Sequence, residues 1–437
     1  MLVAWPSLAI ERIADGAAGF FITRDQTAII VAAPMLSQCL MPIILGFILK
    51  RFGRKTNLIA NAVIFIVAWC LITMASSPLS LIIANLSAGL GSSILIIIGP
   101  IYIAEIADKR IRGALISLFI TAIAIGEVFS TGVGIFVSYF QLNLIALALS
   151  AVALISIIFT ATESPSYHFM VNKEEDAEKS FRYYWNSRST GDDREVQAAL
   201  AELKDSVELE MKSSSSYLEL FGTPSNIKAS IIVIGLSVFQ ATSGVVAMIA
   251  YASTTLPKYD GFFQPNPTMA AVNFLDLVFN IVSVSLIDRL GRKPLSIISN
   301  AGDAVGTGII SLYYFIDEYT DWDTTNIKWL PYVGILIFIS FYGVAMATMP
   351  HLLVGELFPV NIRYQASVMS VCFIAGTFSL INYVYLWICN SLGISVMYLI
   401  FTFFSIIATI FSHVYMFETK NLSLSEIQLR AMGREAS

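Results

Sequence analysis

Charge is what this sequence has least of. Lys, Arg, Asp and Glu make up 13% of its 437 residues, about half the share of a soluble domain. A solvated globular surface needs more, so a soluble fold is excluded. Cysteine is scarce too. Cys39, Cys70, Cys372 and Cys389 all lie in apolar runs, with neither a disulfide framework nor metal spacing. They read as small packing residues. Of the three histidines, His168 and His413 have no acidic or cysteine partner at ligand spacing. There is no strand pattern, Walker sequence or zinc spacing, and no nucleophile with its base. An enzyme, a nucleic-acid binder and a cofactor carrier are set aside; no cofactor or metal is implied. The net charge of −5 says nothing of partners.

What the chain does have is length of apolar run. Hydrophobic residues are 56% of it and the mean hydropathy is +0.74. About 20 apolar residues cross a bilayer as a helix, and in lipid only helices or closed barrels satisfy their own backbone groups. Runs of this length exclude a barrel. The fold class is therefore all-α integral membrane. Eleven full spans are expected near 27–49, 57–75, 79–104, 113–138, 142–161, 228–254, 268–287, 294–316, 330–354, 365–389 and 393–416. MLVAWPSLAI opens apolar, but Glu11 and Arg12 end it too soon. It reads as the last turns of a helix whose start is absent, and not as a signal peptide, because there is no basic leader.

Of the 26 Lys and Arg, 22 fall in the loops after 49, 104, 161, 287 and 354 and in the tail. That bias marks the cytoplasmic side, so the C-terminus is expected there. Asn85 and Asn421 begin N-x-S sequons, one in a span and one on the cytoplasmic side, so neither is expected to be glycosylated. The parts are 1–161, a first membrane bundle; 162–227, a charged cytoplasmic linker with short helices; 228–416, a second bundle; and 417–437, a cytoplasmic tail. Phe181, Tyr184, Trp185, Leu200, Leu203 and Leu209 argue that the linker packs.

The halves repeat. GFILKRFGRK (46–55) returns as SLIDRLGRK (285–293), with Lys50 where the second copy has Asp288. EIADKRIRGA (105–114) and ELFPVNIRYQA (356–366) both place Arg seven residues after Glu. TESPSY (162–167) and FETKNL (417–422) close the halves. Three matched pairs in matched order imply two parallel repeats about an axis along the membrane normal. Rocking of two bundles about a central site is the usual work of such an architecture. Cations beside Glu105, Glu163, Glu356 and Glu418 are expected to form charge-assisted pairs between the bundles that hold the inner side closed.

At PIYIAEIADKRIRG (100–113), DRLGRKPL (288–295), P-x5-ELFP (350–359) with Arg363, QATSG (240–244) and the closing motifs, the chain resembles the sugar porters of the major facilitator superfamily. It is similar in flavour to insect facilitated trehalose transporters and animal glucose facilitators. AWPS (4–7) resembles the end of the family's first helix. The resemblance implies the major facilitator fold, two six-helix bundles related by a pseudo-two-fold, with the first helix truncated. It implies a gate of Arg54, Glu105, Arg112, Glu163, Asp288, Arg289, Arg292, Glu356, Arg363 and Glu418. Lys50 departs, because the family has an acid there, and needs a carboxylate such as Glu105 or Glu163; Asn85 replaces a usual Arg.

The solute site departs further. Amides suit sugar hydroxyls because both donate and accept. Gln240 is kept, and Tyr251 matches a gating aromatic. The family's other amides and tryptophans fall at Ala241, Val246, Ile120, Asp276, His351, Ile374 and Ala375. Several hydrogen bonds at ~1 kcal/mol each are lost. Three outcomes fit: a sugar porter of altered specificity, a porter of a less polar solute, or a protein that does not transport.

Glu127, Asp276 and Asp303 lie inside spans, where each carboxylate is a functional hypothesis by default. One reading is proton coupling through Asp276 and Glu127, with His351 assisting. The other is hydrogen bonding, Glu127 to Ser130 or Thr131 and Asp303 to Asn300. GDAVGTG (302–308) is expected to pack helices through small residues. The aromatics are expected at lipid and interface positions. The reading is a uniporter of a small neutral solute, hexose or trehalose, in the plasma membrane. Gln240, Asp276, His351 and Tyr251 meet the solute, and lipid is the surrounding partner. A proton symporter and a non-transporting sensor stay open.

Overall fold

The computed structural model describes residues 2–14, 16–107, 112–185, 193–212, 216–257, 265–359, 362–420, 422, 426–427 and 430. Among them every long element is a helix. The first half holds α1 (Trp5–Ala14), α2 (Arg24–Arg51), α3 (Arg54–Thr73), α4 (Pro78–Ile106), α5 (Arg112–Gly134) and α6 (Tyr139–Thr160). Three short helices follow: α7 (Pro165–Met170), α8 (Glu174–Trp185) and α9 (Asp193–Lys212). The second half holds α10 (Pro224–Thr242), α11 (Val245–Thr255), α12 (Pro265–Leu290), α13 (Arg292–Tyr319), α14 (Leu330–Val344), α15 (Met349–Leu357), α16 (Arg363–Leu392) and α17 (Ile394–Tyr415). Among the described residues ten segments are long and apolar enough to cross a membrane, and α5 contributes the shorter apolar stretch Thr121–Gly134. Together they match the eleven expected spans.

Turn chemistry sets the starts. Ser77 and Ser138 form capping boxes with Ser80 and Gln141, and Ser164 and Thr223 cap helices whose first residue is proline. Large apolar side chains on α6 and α17, among them Val152, Phe159 and Phe403, stay exposed. In water that surface would drive association; in lipid it is the solvated face. The linker helices form as expected. Phe169, Ala177 and Val207 make a small core with Leu200 and Leu203, and Tyr184 Oη pairs with Tyr102 Oη at 2.7 Å. The side chains of Trp185 and Leu209 lie outside the described residues.

Two expected spans are broken. The span at 228–254 divides into α10 and α11 at Gly244, whose φ is +89° and where a Cβ would come within 2.4 Å of the Phe401 ring. The span at 330–354 divides into α14 and α15, between Ala345 and Thr348. Hydropathy cannot show such breaks, because their residues are as apolar as a helix. The freed backbone is satisfied from neighbours: Met346 N–H donates to Ser299 Oγ (3.3 Å), and the Ala347 carbonyl accepts from Gln240.

The halves meet where α2 packs on α16, α5 on α12 and α1 on α11. Polar contacts stud this seam: Arg24 Nη1 to Asn390 Oδ1 (2.9 Å), Ser379 Oγ to the Ala32 carbonyl (3.1 Å) and Asn273 Nδ2 to Thr131 Oγ1 (3.3 Å). The glycine-rich stretch packs helices as expected, for a Cβ on Gly302 would stand 2.0 Å from the Phe341 ring of α14. The aromatics need a correction. Phe159 and Trp387 are exposed, but Tyr251, Tyr385, Tyr398 and Phe401 are buried in one column inside the second half. Tyr251 Oη donates to the Asn382 carbonyl there, while Tyr385 Oη has no hydrogen bond.

Candidate functional site

The repeated motifs build the same joint in each half. In the first, α3 begins just after Gly53. A helix start leaves N–H groups unpaired and carries partial positive charge. Glu163 answers it, accepting from Lys55 N–H at 3.1 Å. A Cβ on Gly53 would lie 1.9 Å from Glu163 Oε2, so only glycine lets the carboxylate in. The next residue, Arg54, grips Glu105 at the end of α4 through Nη2 (2.8 Å) and Nε (3.0 Å), and stacks over the Tyr167 ring.

The second half repeats this. Glu418 accepts from Arg292 N–H (3.0 Å) and Lys293 N–H (3.2 Å) at the start of α13. A Cβ on Gly291 would lie 2.5 Å from Glu418 Oε2. Arg292 holds Glu356 at the end of α15 through Nη2 (2.8 Å) and Nε (3.1 Å), and Thr419 Oγ1 takes the other oxygen (2.6 Å). Partial burial opposes the charge on Glu418, but the N–H groups of Arg292, Lys420, Lys293 and Thr419 outweigh it and hold the carboxyl below its usual range.

These pairs correct an expectation. Arg54–Glu105 and Arg292–Glu356 lie inside a half, not between the two. The reason is local: the loop before α3 or α13 sits beside the end of α4 or α15, and the arginine closes that short gap. The joints stiffen each half. Arg363 Nη2 donates to the Phe358 carbonyl (3.3 Å), and exposed Arg289 offers its carbonyl to Lys420 Nζ (2.8 Å). The side chains of Lys50, Arg112, Asp288 and Ile120 lie outside the described residues, as does Asn421. Asn85 is buried and bonds the Leu81 carbonyl at 2.9 Å.

At mid-span, Gln240 on α10 is 5% exposed. Its Nε2 donates to Tyr342 Oη (3.2 Å) and to the Ala347 carbonyl (3.2 Å), while Oε1 has no partner. Asp276 on α12 is half-buried, with Oδ1 against Gly343 of α14 and no donor to it. Its carboxylate is an electrostatic neighbour of Glu127 on α5, across the seam. One turn away, Asn273 bonds Thr131, and Thr131 Oγ1 donates to the Glu127 carbonyl (3.0 Å). So Thr131 serves the backbone of Glu127, not its carboxylate. Asp303 is likewise corrected. It is 0% exposed with neither oxygen partnered, because Asn300 turns to the Ser296 carbonyl (2.9 Å) and Ser412 Oγ (3.3 Å).

The expected solute residues are thus only partly assembled. Gln240 joins Tyr342, whose neighbour Gly343 abuts Asp276. His351 lies one turn beyond Ala347 on α15, exposed and without a hydrogen bond among the described residues. Tyr251 belongs to the aromatic column instead: its Oη donates to the Asn382 carbonyl (3.0 Å) and its ring stacks on Tyr385 at 5.0 Å. Ala241, Val246, Ile374 and Ala375 are buried and apolar. Two residues were missed. Tyr342 gave no signal in the sequence, since the helix break it precedes is itself hidden there. Asn273 stands three residues before Asp276, one turn along the same face, which could have marked it.

A family model described as sugar (and other) transporter matches residues 11–430. A facilitated trehalose transporter of Anopheles gambiae is 26% identical over 433 residues, 99% of this chain and 54% of that protein. A sugar transporter ERD6-like protein of Arabidopsis thaliana is 28% identical over 391 residues, 88% of this chain and 81% of that one. The chain therefore spans about half the length of the mosquito relative. Among solved structures, the inward-open xylose transporter XylE of E. coli superposes with a TM-score of 0.78 at 19% identity, covering 98% of this chain and 97% of that one. XylE bound to 6-bromo-6-deoxy-D-glucose gives 0.75 at 20% identity, covering 98% and 96%. Both share the fold.

Proposed function

We propose, because the chain belongs to the sugar (and other) transporter family, that it carries a small sugar-class solute, a hexose or trehalose, by alternating access. The duplicated joint carries this reading. Each half is cross-braced internally by a glycine–carboxylate cap and an arginine–glutamate pair, while the halves touch along a seam of helix faces. Two rigid bodies on one seam are built to rock. Gln240 sits where α10 gives way to α11, so a sugar hydroxyl bonded there would feel that rocking. Transport is downhill, with no covalent step, in the plasma membrane, with the C-terminus in the cytoplasm. His351 and Asp276 complete the solute's surroundings, and Tyr251 gates through its column.

Glu127 and Asp276 favour a second reading, proton coupling, since the two acids come from opposite halves, each one turn from the Asn273–Thr131 contact across the seam. Uptake of labelled glucose and trehalose into proteoliposomes, with and without an inward proton gradient, tests both. Saturable uptake indifferent to the gradient is the expected result. Gradient-dependent uptake would replace uniport by symport, and no uptake would remove the transport reading.

A further inference from the structure

Asn382 on α16 is 1% exposed, and neither Nδ2 nor Oδ1 of its side chain has a hydrogen bond. Gln240, Asn273 and Asn143 each lack a partner at one end only. Among the described residues no other buried amide is idle at both ends. Such a group opposes folding, and native interiors rarely keep one without a use. Its place is beside the seam. One turn before it, Ser379 Oγ donates to the Ala32 carbonyl of α2 (3.1 Å), and two turns beyond it Asn390 accepts from Arg24 at the start of α2 (2.9 Å). On its other flank Tyr251 of α11 donates to the Asn382 carbonyl (3.0 Å). Asn382 thus stands where α2, α11 and α16 meet, between two contacts that join the halves.

An amide offers two N–H donors and an acceptor oxygen. A hydroxyl both donates and accepts, so it can meet either end; an ammonium only donates and a carboxylate only accepts, and each leaves one end unmet. The surroundings are apolar and aromatic. Ala375 and Phe378 stand two turns and one turn before Asn382 on the same face of α16, and Tyr251 stacks on Tyr385. One polar group on such a surface suits a ring with C–H faces and hydroxyl edges. The family resemblance places its amide and tryptophan on this helix at Ile374 and Ala375, both apolar here, and not at Asn382. We propose that Asn382 is a solute-binding residue, an amide that takes one hydroxyl of a neutral sugar or polyol when the α2–α16 seam parts at the end away from the arginine–glutamate joints. This rests on the sugar-class transport reading and adds to it. The amide also ties occupancy to closure: an empty carrier shuts over an unmet amide, a loaded one over a satisfied amide.

The test is competition in proteoliposomes holding the full chain. Labelled glucose or trehalose, whichever enters, is the tracer, and glucose and its monodeoxy forms compete. In the wild type, loss of one particular hydroxyl should weaken competition about tenfold. Asn382→Leu should weaken glucose by a similar factor and leave it equal to that one deoxy form, while the ratios for the other deoxy forms stay as they were. A structural role would weaken every form alike. The melting temperature of Asn382→Leu should be no lower than that of the wild type, since no bond is lost. A wild type indifferent to every single hydroxyl overturns the proposal without recourse to a variant. So does a variant that keeps the full pattern of deoxy ratios, or one that melts well below the wild type. Each of these leaves the transport reading standing; entry of neither sugar into wild-type vesicles overturns both.

Discussion

The two glycine joints look alike but should fail differently when a methyl group is added. At Gly291, φ is +94° and ψ 168°, a region nearly closed to other residues, so alanine there costs about 1–3 kcal/mol in backbone strain. Its Cβ also meets Glu418 2.5 Å from one oxygen. Displacing that carboxylate forfeits charge-assisted bonds worth roughly 1.5–3 kcal/mol. Gly291→Ala should therefore lose about 2.5–6 kcal/mol, the sum of those two effects. At Gly53, φ is −61° and ψ 157°, open to any residue. Only the clash remains, 1.9 Å from Glu163 Oε2, so Gly53→Ala should lose only the roughly 1.5–3 kcal/mol of the cap. Removing the carboxylate separates the two effects. Gly53→Ala in a Glu163→Ala background should change nothing further, or gain slightly from a stiffer unfolded chain. Gly291→Ala in a Glu418→Ala background should still lose the backbone part. Thermal unfolding of detergent-purified variants, followed by tryptophan fluorescence, gives the order. The reasoning is refuted if Gly53→Ala/Glu163→Ala melts well below Glu163→Ala, or if Gly291→Ala is no worse than Gly53→Ala.

Double-mutant cycles on Arg54/Glu105 and Arg292/Glu356 should each give a coupling of about 1–3 kcal/mol, while Arg54/Glu356 gives none; equal coupling across the halves would restore the inter-bundle lock. Glu418 is held below its usual range, so its stabilisation is full above about pH 4.3, the ordinary value, and fades as pH falls through the lower folded value. Melting temperatures of the wild type and Glu418→Gln should differ at pH 7 and draw together as pH falls below the ordinary carboxylate range; a gap that does not narrow at all as the pH falls contradicts the cap. Tyr342→Phe removes the hydroxyl that accepts from Gln240 and should weaken solute binding about five- to tenfold, roughly 1–1.4 kcal/mol, read as a raised half-saturation concentration for uptake. Asp303→Asn should be neutral or stabilising, since a buried carboxylate without a partner opposes folding by several kcal/mol; a clear fall in melting temperature would mean that Asp303 has work that its surroundings here do not reveal.

Spans, repeats and the joint residues were legible because each follows from a one-dimensional rule. An apolar run long enough for lipid must be a helix, and Gly53 with Glu163, or Gly291 with Glu418, recur in matched order. Pairing was not legible. Arg54 and Glu105 are 51 residues apart, and nothing in the spacing says that the arginine turns inward to its own half. The break at Ala345–Thr348 was hidden because distant Ser299 and Gln240 help satisfy its freed backbone, whereas at Gly244 Ser243 Oγ closes on the Gln240 carbonyl. Asn300 is one turn from Asp303, which suggested a bond, yet the packing of α17 offers Ser412 instead. Tyr251 matched a family position but was claimed by Tyr385 and Asn382, a tertiary preference no local pattern carries.

Counterflow bears most directly on alternating access by two rigid halves. Proteoliposomes holding the protein are loaded with unlabelled sugar, diluted into tracer and followed against unloaded vesicles. One site exposed to each side in turn predicts that loading drives a transient overshoot of tracer, because loaded carriers return faster than empty ones. Tracer entry that is saturable but indifferent to the loaded sugar, or entry that never saturates, would contradict it.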